Sequence, residues 1–89
     1  LNTYHGVSMI REKNTVKYRA RLHLRSYYLI GYYDSAIEAA IAYNKAVDIV
    51  KKRFPGKNYE VNYIAELKAS EYAGIYKQVE VSERIYTLQ

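Results

Sequence analysis

Residues 18 to 25 read Tyr-Arg-Ala-Arg-Leu-His-Leu-Arg, and the way this stretch alternates decides the fold. Successive side chains of a β-strand point to opposite faces, so Tyr18, Ala20, Leu22 and Leu24 form one side and Arg19, Arg21, His23 and Arg25 the other. One side asks for a core and the other for anions. An ordinary solvated face of an antiparallel sheet also alternates polar with apolar. Such faces usually mix signs, however, and this row carries no acid. A row of basic groups at two-residue spacing can follow a polyphosphate or enter the DNA major groove, which admits a two-stranded ribbon as well as a helix.

The flanking segments supply the rest of a sheet. Before the central stretch, residues 4 to 10, Tyr-His-Gly-Val-Ser-Met-Ile, are expected to form a first strand, with Tyr4, Val7 and Ile10 apolar and Gly6 marking a bulge or close approach. Lys13-Asn14-Thr15 is turn chemistry. After Arg25 a short turn at Ser26-Tyr27 leads into Tyr28 to Tyr33, an aromatic and branched strand interrupted by Gly31. Three strands with short connections predict an antiparallel meander.

The period changes at Ser35, which with Glu38 has capping-box spacing and opens a helix. Ala36, Ala39, Ala40, Tyr43, Ala46, Val47 and Val50 make one stripe of mostly small residues, with Glu38, Asn44, Lys45, Asp48 and Lys51 largely off it. Only the apolar side of the sheet offers that stripe a partner. Lys51, Lys52 and Arg53 suit the negative end of the helix and read as a solvated charge run, and Phe54-Pro55-Gly56 stops it. Val61, Tyr63 and Ile64 are expected to pack back on the helix or the sheet. Ala65 to Val79 has roughly helical spacing with Gly74 inside it, and the last ten residues read as a short strand or frayed tail. The expected class is α+β: a three-stranded antiparallel sheet on one α-helix within residues 1–64, and a partly helical C-terminal extension at 65–89.

The 89 residues suffice for one core but not two. Because the sequence starts at Leu1 rather than methionine, a piece of a longer protein is expected. A net charge of +5 favours a polyanionic partner. The excess is local: through Asp34 six basic residues face two acidic ones, whereas from Tyr59 onward three face five. With no cysteine, disulfides and thiolate metal sites are excluded, and the apolar runs are too short to span a membrane. We expect an intracellular protein, nuclear in a eukaryote or in the cytoplasm and nucleoid of a bacterium or phage, with no metal, cofactor or small-molecule substrate. No grouped nucleophile, base or paired carboxylates support catalysis.

Several linked motifs resemble the plant-type Apetala-two/ethylene-response-factor DNA-binding domain. Tyr4-His-Gly-Val is similar to that family's opening Tyr-Arg-Gly-Val, and Tyr18-Arg-Ala-Arg-Leu and Ile30-Gly-Tyr-Tyr-Asp follow in order. Ser35-Ala-Ile-Glu-Ala-Ala-Ile-Ala-Tyr-Asn-Lys-Ala is similar to its Thr-Ala-Glu-Glu-Ala-Ala-Arg-Ala-Tyr-Asp-Arg-Ala, and Asn62-Tyr63 to its closing Asn-Phe. The resemblance implies a transcription-factor domain that lays the exposed face of its sheet in the major groove. It implies DNA contacts at His5 and Ser8 on the first strand, Arg11 and Lys13 near the first turn, Arg21 and His23 on the second strand, and Tyr27 and Leu29 on the third. Alternation adds Arg19 and Arg25.

The chain departs from the family where target choice is made. His5 and Ser8 replace arginines, the tryptophan of the first turn is missing, and Leu29 replaces a tryptophan. Similar domains occur in bacteria, phages and mobile elements beside homing nucleases, so a DNA-targeting module of a homing endonuclease or integrase is the alternative. A third reading gives residues 65–89 to a protein partner or self-association. Among individual residues, the arginines either read guanine or neutralise phosphate, Tyr27 and Leu29 either touch a thymine methyl or cover the sheet, and Asn62 is expected to tie the C-terminal segment to backbone.

Overall fold

The computed structural model describes residues 4–89. β1 (Val7–Glu12), β2 (Thr15–Leu24) and β3 (Ser26–Tyr33) form one antiparallel sheet in the order β1-β2-β3. The helices α1 (Ala36–Arg53), α2 (Ala69–Gln78) and α3 (Glu83–Tyr86) follow. The expected α+β architecture of a meander on a helix is what the chain adopts. No helix of the described residues is long and apolar enough to cross a membrane.

Alternation along β2 holds as far as Leu24. Ala20, Leu22 and Leu24 are buried, as is Ile30 of β3, and they meet Ala39, Ala40, Tyr43, Ala46, Val47 and Val50 of α1 in one apolar cluster. The alanines remove the bulk that would hold helix and sheet apart, so α1 sits close to β2. Ser35 caps α1 as its spacing predicts: its Oγ accepts from the Glu38 amide at 3.1 Å. The Glu38 carboxylate takes the Ser35 hydroxyl rather than reaching back to an amide.

Residues 4–6 are not part of a strand. β1 starts at Val7, and the chain before it turns at Gly6, whose φ is +76° and whose carbonyl accepts from the Arg21 amide at 2.9 Å. β1 then runs two residues further than expected, so Ile10 lies on the outer side opposite Lys17.

The C-terminal extension departs most from expectation. With Ile64 just before it, it contributes Val79, Ile85 and Leu88 to the same core, so α1 is covered on a second side and Ile41 and Ala42 are buried as well. α2 packs on α1 without reaching the sheet, while α3 touches both α1 and β3. The last ten residues are neither strand nor frayed tail, because Ile85 and Leu88 are buried around a single helical turn. Val61 and Tyr63 do not pack back: they are exposed, since an extended segment that turns Asn62 and Ile64 inward must turn its neighbours outward.

Asn44, read as an off-stripe residue, is buried. Its Nδ2 donates to the Asn62 carbonyl at 2.8 Å and its Oδ1 accepts from the Asn62 amide at 2.8 Å, a pairing that fastens the extension to α1. The Asn62 side chain in turn accepts from the His5 amide at 2.7 Å and donates to the His5 carbonyl at 3.1 Å and the Ala40 carbonyl at 3.3 Å. Asn62 thus binds backbone, as expected. Lys51, Lys52 and Arg53 are exposed, as expected of a solvated run, but Arg53 also donates to the Leu88 and Tyr86 carbonyls and ties down the end of α3. Lys45 similarly holds the Tyr76 and Val79 carbonyls at the end of α2.

Burial raises several tyrosines above their ordinary range, Tyr33 and Tyr76 the most. Tyr33, which donates to the Glu80 carbonyl, is pushed up to about 12 by burial first and by the Glu80 charge second. Tyr76 is raised by burial, then by donating to the Asp48 carboxylate at 2.6 Å. A folded-state value above the unfolded one means that the stabilisation is complete below about pH 10 and is lost as pH climbs toward 12. Denaturant unfolding of the parent should therefore weaken across that window, and a Tyr33→Phe/Tyr76→Phe variant should weaken less. Parallel pH profiles would refute this linkage.

Candidate nucleic-acid interface

The outer face of the sheet is built by register. Ser8 of β1 lies opposite Arg19 of β2, and Arg19 lies opposite Tyr32 of β3, so these three cross the sheet in one row. One step further along β2, Arg21 faces Leu29, and His23 faces Tyr27. Tyr27, Leu29 and Tyr32 are all exposed. The Arg21 guanidinium leans along the face onto the Tyr27 ring, 4.4 Å from its centroid, and the His23 ring meets Tyr27 edge-on at 4.9 Å. An aromatic face under a guanidinium fixes its plane and leaves its N–H edge free.

Tyr32 is a member of this face that sequence reasoning missed. Alternation from Tyr27 and Leu29 would turn it inward. In the sheet, Ala20 pairs with Gly31 but Arg21 pairs with Leu29, so Ile30 is the extra residue of a β-bulge. Ile30 drops into the core and Tyr32 is turned outward. Gly31 was the available signal, since a glycine inside a strand often marks a bulge. Lys17, also missed, shares the parity of Arg19 and Arg21, but its ammonium is engaged by Asp34 at 2.5 Å.

The expected contact residues do not all share this surface. Arg25 has left the row: β2 ends at Leu24, Arg25 turns with a φ of 66°, and its guanidinium donates to the Gln89 carbonyl. His5 precedes the first strand instead of lying on it, and its Nε2 stands 3.9 Å from the Glu60 carboxylate. Arg11 is opposite Val16, on the parity of Val7 and Met9, which is the helix side of the sheet. Lys13 occupies the exposed two-residue turn with a φ of 49°. Ser8, Arg19, Arg21, His23, Tyr27 and Leu29 are brought together.

Neither a family model, nor a curated protein, nor a solved structure matches this chain. The site therefore rests on its own chemistry. The side chains of Arg19 and Arg21 have no carboxylate partner among the described residues, and the Arg19 Nε is shielded from solvent without a hydrogen-bond acceptor there. α2 and α3 pack against α1, and α3 against β3, so neither helix packs on β2, where Arg19 and Arg21 lie half-buried. On the other side of the molecule a groove of about 450 Å³ runs between α1 and residues 61–72. Its Asn44 and Asp48 are already engaged by Asn62, Tyr72 and Tyr76.

Proposed function

We propose that this chain binds double-stranded DNA with sequence preference, through the outer face of its sheet in the major groove, as an Apetala-two/ethylene-response-factor-like domain of a transcription factor. The observation that carries the reading is a pair of arginines, Arg19 and Arg21, left without carboxylate partners among the described residues on a face that the C-terminal extension does not cover. Unpaired guanidinia on a sheet are poised for phosphate or for the O6 and N7 acceptors of guanine. Arg21, held flat by Tyr27, is the base-reading candidate; Arg19, in the row with Ser8 and Tyr32, suits a phosphate.

Two measurements test this. The logarithm of affinity for duplex DNA should fall linearly with the logarithm of salt concentration, by about 0.9 for each phosphate neutralised, and a flat dependence would exclude the reading. Arg21→Ala should cost about 1–3 kcal/mol on a preferred duplex and narrow the gap to a scrambled one. Arg19→Ala should weaken both duplexes alike and lower the salt slope by about 1.

The exposure of both Tyr27 and Tyr32 along β3 favours one second reading, stacking of unpaired bases on the same face. Competition decides between them. A single strand that displaces the protein from duplex at equal nucleotide concentration would support stacking.

A further inference from the structure

The cross-strand pair Arg21–Leu29 has a chemistry that duplex DNA matches at one kind of step. Leu29 is 42% exposed on the edge strand β3, directly opposite Arg21 of the central strand, on a face whose neighbouring members are arginine, histidine and tyrosine. It offers no donor or acceptor, so any favourable contact in a groove must be to hydrocarbon. In the major groove that hydrocarbon is the C5-methyl group of a pyrimidine. Directly paired residues on adjacent strands are about 5 Å apart, between one and two base steps of 3.4 Å, so two such side chains are within reach of neighbouring base pairs. Arg21 meanwhile sits over the ring of Tyr27, two residues from Leu29 on β3, and Leu29 stays exposed beside it.

We infer that Arg21 and Leu29 together read a guanine beside a C5-methylated pyrimidine, Arg21 through the guanine acceptors and Leu29 through the methyl. This rests on the duplex-binding reading above. Two bases carry that methyl, thymine and 5-methylcytosine, and the site distinguishes them from uracil and cytosine by the methyl alone. Leu29 is a specificity residue here, and Tyr27 a positioning residue that holds Arg21.

The test uses the full 89-residue chain and a duplex selected from a random-sequence pool. In one arm each thymine next to a guanine is replaced by uracil; in the other, cytosine at the same place is compared with 5-methylcytosine. Removing the methyl should weaken binding about fourfold, the equivalent of one buried methylene at 1.4 kcal/mol per tenfold. Leu29→Ala, a substitution at an exposed position, should keep the melting temperature and bind methylated and unmethylated duplexes within 1.5-fold of each other. A response in both arms, or in either one, supports the inference and identifies the carrier. Equal binding of all duplexes by the parent chain, or a fourfold methyl effect that survives in Leu29→Ala, overturns it while leaving duplex binding intact. Failure to select any duplex overturns both.

Discussion

Asn62→Ala is expected to lower the unfolding free energy by about 4 kcal/mol, since the amide and carbonyl of His5 lose their partner and the helical carbonyl of Ala40 loses its second donor in one step. The Ala40 contact is buried and the two to His5 are partly so, which places the loss above that of a single exposed bond. A domain of this size is stable by about 5–10 kcal/mol, so the variant should sit near the edge of folding. Asn62→Asp should be no better at neutral pH. It keeps the acceptor for the His5 amide but turns a carboxylate toward two carbonyl oxygens. Urea titration followed by far-ultraviolet circular dichroism measures both. A cost below about 1 kcal/mol would mean that the backbone relaxes to satisfy these groups elsewhere.

Gly6→Ala is expected to cost about 3 kcal/mol or more, from two independent sources. The positive φ of Gly6 is worth roughly 1–2 kcal/mol against any residue with a Cβ. The added carbon would also stand 2.3 Å from Tyr43 Cδ1 and 2.6 Å from the Arg21 carbonyl oxygen, and neither can yield easily. The Tyr43 ring is buried, and the carbonyl belongs to the central strand. Overpacking of this kind adds about 1–3 kcal/mol. A double-mutant cycle with Tyr43→Ala separates the terms: removing the ring should recover only part of the loss, because the backbone conformation and the Arg21 contact persist. Full additivity in the cycle would show that the ring moves aside freely.

Both predictions concern the same joint at His5 and Gly6, where the sequence marks a close approach at the glycine but expects a β-strand. These residues form instead the knot where the N-terminal turn, α1 and the segment at Asn62 are joined, directly behind β2. That joint supports the binding face from the rear. Loss of affinity in either variant must therefore be judged against its loss of stability, whereas Arg21→Ala and Leu29→Ala change side chains on the outer face, outside the apolar core, and test recognition itself.

The legible part of this chain is the part governed by short-range periodicity. The two-residue alternation of Tyr18 to Leu24 and the three-and-four spacing from Ala36 to Val50 each specify an element and the side it buries, and together they leave one way to stack helix on sheet. The Ser35 cap was readable for the same reason, since its partner is three residues away. The placement of Arg21 and His23 on one side of β2 follows from the same alternation, whereas that of Leu29 was implied by the family resemblance.

What escaped was set by contacts between residues far apart in sequence. Tyr32 joined the face because a bulge opposite Ala20 and Arg21 shifted its parity, and Arg25 left it because its guanidinium meets a carbonyl 64 residues away. Ile85 and Leu88 resemble a tail until the second side of α1 is seen to need cover. Asn44, Asn62 and Arg53 look like surface residues until the carbonyls and amides they satisfy are brought to them. The sequence alone determined the meander, the helix that backs it and the cationic side of β2, because alternation and helical spacing are properties of neighbours. Tertiary structure alone decided which side chains complete the face and how the C-terminal residues close the core, because buried backbone groups take their partners from whatever the fold puts beside them.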